Sequence, residues 1–188
     1  MAIETPDYII IEKDGHIEHR KYYGYITANI KVKADSYKSA GNKAFSFLAD
    51  YIFGNNTKNS KIAMTAPVIS QKPAILEKIN MSAPVTTAKL DYRSYIISFT
   101  MPAIYTLNDL PKPNNDNVFI KAMPPHEVVA IGFSGYTSEG DIEDKSDELR
   151  EWANKKQIKI SSQLTVLRYD PPWKPGFLRK NEVCFKVV

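Results

Sequence analysis

Apolar and polar residues alternate strictly in two nearly identical stretches of this chain. Lys61-Ile62-Ala63-Met64-Thr65-Ala66-Pro67-Val68 and Lys78-Ile79-Asn80-Met81-Ser82-Ala83-Pro84-Val85 agree at seven of eight positions, with Ser counted as equivalent to Thr. In each copy the Ile, Met, Ala and Val side chains fall on one side of an extended backbone, the pattern of a strand with one apolar face. The late Pro lacks an N–H for a ladder and marks an edge, a bulge or a strand end. Met64 and Met81 lie on the inward side, so core packing is expected of them rather than metal ligation.

Upstream, residues 8–12 and 17–22 read as short strands around the Asp14-Gly15 turn signal. Residues 25–33 form a third, with Ile26, Ala28, Ile30 and Val32 on one face. The period then changes. Tyr37, Ala40, Ala44, Leu48, Tyr51 and Ile52 recur at helical spacing behind Ser36, a good N-cap, and the helix should stop near Phe53 at Gly54-Asn55-Asn56. A strand over about 93–101 leads into a Pro- and Asn-rich loop from Pro102 to Asn117.

The second half repeats this order: strands at 117–123 and 127–134, a helix at about 141–157 with Ile142, Leu149, Trp152 and Ala153 inward, then strands at 163–169 and 182–188. Ala28 matches Ala130 and the helix starts match each other at an offset of about 102–105 residues, which suggests a duplicated unit. The expected class is α+β, one domain over residues 1–188, with repeats at about 7–101 and 117–188. Each half alone would leave an apolar sheet face open, so the halves should share one core.

The 188 residues suffice for such a core, and 43% hydrophobic with 24% charged residues is ordinary for a soluble globular protein. The net charge of +4 is mild, and basic residues are interspersed with acidic ones, as in Glu143, Asp144, Lys145, Asp147, Glu148 and Arg150. That pattern argues against nucleic-acid binding. The lone Cys184 allows no intrachain disulfide and fits a reducing compartment. The N-terminus lacks a basic-then-apolar signal segment, and no apolar run approaches the roughly 20 residues that span a bilayer. A cytoplasmic monomer without membrane attachment is expected.

Catalytic constellations are sparse. The three histidines are His16, His19 and His126. His16 and His19, three apart on a strand, would face opposite ways, a poor arrangement for one metal, and each histidine is expected in solvent. With one cysteine there is no thiolate zinc set. No phosphate loop, nucleophile elbow or H-E-x-x-H motif occurs. Neither an enzyme nor a metal site is expected.

The repeated motif, together with others along the chain, resembles the SOUL haem-binding protein family. Ile17-Glu18-His19-Arg20-Lys21-Tyr22 is similar to the family's E-x-R-x-Y strand. Further matches are Ser98-Phe99-Thr100-Met101-Pro102, Leu110-Pro111-Lys112-Pro113-Asn114, Val129-Ala130-Ile131-Gly132-Phe133-Ser134-Gly135, Arg168-Tyr169-Asp170-Pro171-Pro172-Trp173-Lys174-Pro175-Gly176-Phe177 and Arg179-Lys180-Asn181-Glu182-Val183. The resemblance implies a curved, barrel-like antiparallel sheet with two long helices packed on it. It also implies haem, or another planar tetrapyrrole, as ligand, carried or buffered rather than transformed.

The family groove lies between the first helix and the loop before the last strand. Carried onto this chain it comprises Lys43, Ser46, Phe47 and Asp50 from the helix, and Trp173, Lys174, Phe177, Arg179 and Lys180 from the loop. Lys43, Lys174 and Lys180 would meet the propionates, and Phe47, Trp173 and Phe177 would cover the ring. Some relatives place an axial histidine near the first helix, but this chain has none between His19 and His126, so binding without histidine ligation is expected. Ser46 and Asp50 are also more polar than haem-binding members suggest.

A second reading comes from the same fold. It resembles gyrase-inhibitor-like effector domains, which hold small molecules in a central cleft, often with a glutamate and aromatics, and some relatives of which are hydrolases. Glu182 with Tyr22 or Tyr169 would build such a cleft here. No helix-turn-helix segment is attached, so a transcription factor is not expected. Arg20, Arg179 and Glu182 on or beside strands suggest instead a structural Arg–carboxylate pair.

Overall fold

A computed structural model describes residues 5–57, 85–91, 93–170 and 174–188. Strands β1 (Tyr8–Asp14) and β2 (Ile17–Tyr22) form a hairpin around Gly15, whose φ of 57° suits glycine. His16 sits in this turn and not on a strand, because β1 runs to Asp14. A register shift between Ile10 and Glu12 breaks the alternation, leaving Ile9, Ile10 and Ile11 all about half exposed (47–48%).

Strand β3 (Tyr25–Lys33) feeds helix α1 (Tyr37–Phe53). The Ser36 side chain accepts from Ser39 N at 3.1 Å, and Gly54 at φ 122° ends the helix, both as the sequence indicates. Strand β4 (Asn56–Thr57) pairs with β7 (Lys112–Pro113) inside the long connection, and Tyr51 Oη donates to Pro111 O at 2.9 Å, so this loop is fastened beneath α1. Between them come β5 (Val85–Asp91) and β6 (Ser94–Thr100). The repeated motifs lie outside the described residues except for Val85, which opens β5.

The second half contributes β8 (Val118–Met123), β9 (His126–Ser134), α2 (Glu139–Lys155), β10 (Ile160–Arg168), a 3-10 turn (Gly176–Leu178) and β11 (Lys180–Val187). Helix α2 begins two residues before the expected 141 because Ser138 and Asp141 form a reciprocal capping box.

One antiparallel, curled sheet runs β1-β2-β9-β11-β10-β5-β6-β3-β8. Strands of the two halves lie side by side at three places, β2 with β9, β10 with β5, and β3 with β8. Consecutive strands β2 and β3 do not pair with each other: β2 pairs with β9 and β3 with β8. Helix α1 lies on β3, β6 and β5, and α2 on β11, β9 and β10. Under the helices a continuous core includes Leu48, Tyr51, Ile52, Ile97, Phe99, Ile131, Ile142, Leu149, Val183 and Phe185. The sheet's other face carries a smaller cluster of Tyr22, Val128, Ala130, Leu167 and Cys184, with Tyr8, Tyr25 and Tyr169 packed against it.

Candidate ligand-binding site

Lys43, Ser46, Phe47 and Asp50 recur at i, i+3, i+4 and i+7 on α1 and are all exposed, forming a stripe that flanks the buried Ala40, Ala44 and Leu48. Phe47 is 44% exposed, an unusual position for so large an apolar ring. Lys43 Nζ donates to Lys33 O at 3.0 Å, which ties it to the end of β3. Asp50 accepts from Asn55 Nδ2 through its carboxylate and, through its backbone carbonyl, from Gly54 and Asn55 N–H groups beyond the helix end.

The loop before β11 presents Phe177 at 68% and Leu178 at 55% exposure. Lys174 Nζ pairs with Asp170 at 2.8 Å, and the Lys174 carbonyl accepts from Arg179 Nε at 2.8 Å. Gly176 lies directly under the ring of Tyr136: a Cβ there would come 2.1 Å from Tyr136 Cε1. Lys180 does not join the α1 stripe. It stands on the open sheet face, with Nζ 3.8 Å from Glu182 Oε1 and 4.8 Å from the Tyr169 ring centre. Trp173 lies outside the described residues.

The open face holds a buried polar group with several mutual hydrogen bonds. β2 and β11, both neighbours of β9, bring Arg20 opposite Glu182, which are 4% and 2% exposed. The guanidinium and carboxylate bond in a fork, Nη1 to Oε2 at 2.7 Å and Nη2 to Oε1 at 3.0 Å. Tyr169 Oη donates to Glu182 Oε2 at 2.7 Å, Arg20 Nε donates to Glu18 at 2.7 Å, and the guanidinium lies 4.7 Å over the Tyr8 ring. This is the expected Arg–carboxylate pair, with Arg20 and not Arg179 as its cation.

The surroundings tune their neighbours. Burial, then the Glu182 charge, raises the Tyr169 hydroxyl far above its ordinary range. Burial, then Glu182, pushes the Cys184 thiol up to about 12. Burial acts to raise the Glu18 carboxyl, but hydrogen bonds from Lys13 and Arg20 outweigh it and leave it below the usual range.

Two histidines are less exposed than expected. His19 is half-buried and bonds Glu127 at 3.1 Å. His126, also half-buried, has Nδ1 2.8 Å from the Pro124 carbonyl and stacks on Tyr22 at 5.6 Å. A carbonyl only accepts, so His126 Nδ1 is the donor in this bond. No group of three or more His, Cys, Asp or Glu side chains suited to a metal occurs among the described residues.

The curled antiparallel sheet backed by two helices defines a fold shared with known proteins. The C-terminal domain of EcmrR superposes with a TM-score of 0.62 at 11% identity, covering 92% of this chain and 96% of that one. A hydrolase from Listeria innocua does so at 0.59 and 12%, covering 92% and 91%. The family itself is set by sequence: the SOUL heme-binding protein model matches residues 3–186, and the chain belongs to that family. Heme-binding protein 1 of Xenopus tropicalis is 28% identical over 176 residues, 93% of this chain and 85% of the relative. Heme-binding protein 2 of Homo sapiens is 28% identical over 174 residues, 90% and 72% of the two chains.

Proposed function

We propose that this protein binds haem or a closely related tetrapyrrole at its surface and carries or buffers it without catalysis. The observation that carries this reading is the family match across residues 3–186. The α1 stripe and the loop before β11 fit such a ligand chemically. Phe47 and Phe177 offer exposed rings to a porphyrin face, and Lys43 and Lys174 are cations on the same helix and the same loop. Both lysines already have partners, Lys33 O and Asp170, so propionates would have to draw them away. Haem supplies iron and a flat dianionic ring when bound; the chain's task is to cover the ring, neutralise the carboxylates and keep copies of the ligand apart. Trp173 would complete the cover. Lys180 belongs with Glu182 and is dropped from this set.

The cleft reading draws support from the fold likeness to the EcmrR domain, but the position a cationic effector would take beside Glu182 is filled by Arg20. The same pairing leaves Glu182 unsuited to serve as a general base. We further read the chain as two copies of one unit, at about 7–101 and 117–188, sharing a core, and place it as a monomer in the cytoplasm.

Hemin titration followed in the Soret region tests the proposal. One equivalent should saturate the protein at micromolar concentrations, with Phe47→Ala and Trp173→Ala each weakening affinity by about tenfold. Lys43→Ala and Lys174→Ala should cost about 3–10-fold, as exposed charge contacts do. Equal affinity in all four variants would remove the groove assignment, and no saturable binding would remove haem.

A further inference from the structure

Away from the α1 stripe, the fold contains a cavity of about 570 Å³, within the ~300–1,000 Å³ of small-molecule sites. It opens where the turn between β2 and β3, the end of β8 and the start of the 102–110 loop converge. Tyr23, Tyr25, Ile26, Met101, Tyr105 and Met123 form most of its aromatic and apolar wall.

The walls are fastened by backbone hydrogen bonds. Tyr23 N donates to Asp7 O at 3.0 Å, Met101 N to Ile26 O at 2.8 Å, and Tyr105 N to Pro102 O at 3.1 Å. Thr106 Oγ1 donates to Asp109 Oδ2 at 2.5 Å, which stiffens the loop. The β2–β3 turn packs against β8 at Gly24, where a Cβ would stand 3.4 Å from Met123 O. The cavity is therefore built before any ligand arrives.

Its charge is the informative feature. Among the described residues that line it there is no lysine, arginine or histidine, and Asp7 is the one carboxylate. A dianionic porphyrin would bury its propionates there without a cation, at a cost of several kcal/mol per uncompensated charge. An aromatic and apolar lining with one nearby carboxylate favours an uncharged or cationic guest.

We propose that this cavity is a second ligand site, selective for flat aromatic molecules that are uncharged or cationic, and separate from the haem groove. It stands independently of the haem reading. The test uses three dyes of similar size: rhodamine 6G (cationic), Nile red (uncharged) and fluorescein (anionic), followed by fluorescence anisotropy. Rhodamine 6G and Nile red should each saturate a single site, with fluorescein at least tenfold weaker. Ala122→Trp, at an exposed lining position, should fill the cavity and weaken both dyes at least tenfold. Asp7→Asn should weaken rhodamine 6G several-fold and leave Nile red unchanged, and Phe47→Ala should alter neither. Hemin at one equivalent should not displace them. Equal binding of all three dyes, full binding by Ala122→Trp, or displacement by stoichiometric hemin would each overturn the second site, whatever the hemin titration itself shows.

Discussion

The Arg20–Glu182 fork behaves as an internal ligand. Desolvating two charges is expensive, and the fork geometry, Tyr169, Glu18, Lys180 and the Tyr8 face compensate for it. Arg20→Ala should therefore lower stability by about 3–5 kcal/mol, because it leaves Glu182 buried and unpaired. A double variant, Arg20→Met with Glu182→Leu, should recover most of that loss in urea unfolding. Equal losses in both would show that the pair itself, and not the stranded charge, sets the cost. The tyrosines make a pH prediction. Burial raises the hydroxyls of Tyr22, Tyr25 and Tyr169 above the ordinary value. A raised folded value means that the neutral form is favoured in the fold, so this stability is fully present below the unfolded value near ~10 and is lost as pH rises beyond it. The urea midpoint should fall between pH 9 and 11, and part of the absorbance change of the eleven tyrosines should appear only on unfolding. A flat midpoint would contradict this. Charges on strands at positions 20 and 182 hinted at this pair, but their meeting across 162 residues depends on register, which no local pattern reveals.

At the scale of elements, the helices follow local chemistry. Ser36 and Ser138 each cap a helix through a side-chain oxygen, and replacing either with Ala should cost about 0.5–2 kcal/mol, measured by thermal or urea unfolding. The α2 cap has a further tie, because Glu139 Oε1 accepts from Tyr37 N at 3.0 Å and joins the starts of the two helices. Glu139→Gln should thus destabilise the fold more than a substitution at the exposed Glu143 does. These helices were legible because spacing and caps are encoded within a few residues. Strand β5 was not: Val85-Thr86-Thr87-Ala88-Lys89-Leu90-Asp91 has little apolar alternation, and it is a strand because β10 and β6 flank it on both sides. Its Thr87 is buried and accepts from Arg168 Nη1, a role that only the folded sheet assigns. The α1 stripe entered through the family resemblance alone, and the prior partners of Lys43 and Lys174 were not legible from either source.

Across the whole molecule, the halves are interlocked rather than stacked. Each half pairs an early strand with the other half: β2 with β9, and β8 with β3. Residues 1–104 and 105–188 expressed apart should each lack a stable near-ultraviolet circular dichroism spectrum, and mixing them should restore it. A stable isolated half would refute the interdependence. The same arrangement bears on how the protein is made. As the chain leaves the ribosome, β2 has only β1 beside it until β9 emerges more than 100 residues later, and Arg20 has Glu18 but not its fork partner until Glu182 follows. At about 5–20 residues per second, the nascent N-terminal hairpin waits ~8–30 s before the Arg20 fork is complete. Its half-exposed run of Ile9, Ile10 and Ile11 would make that interval a window for chaperone capture, which closes when the last strand is released.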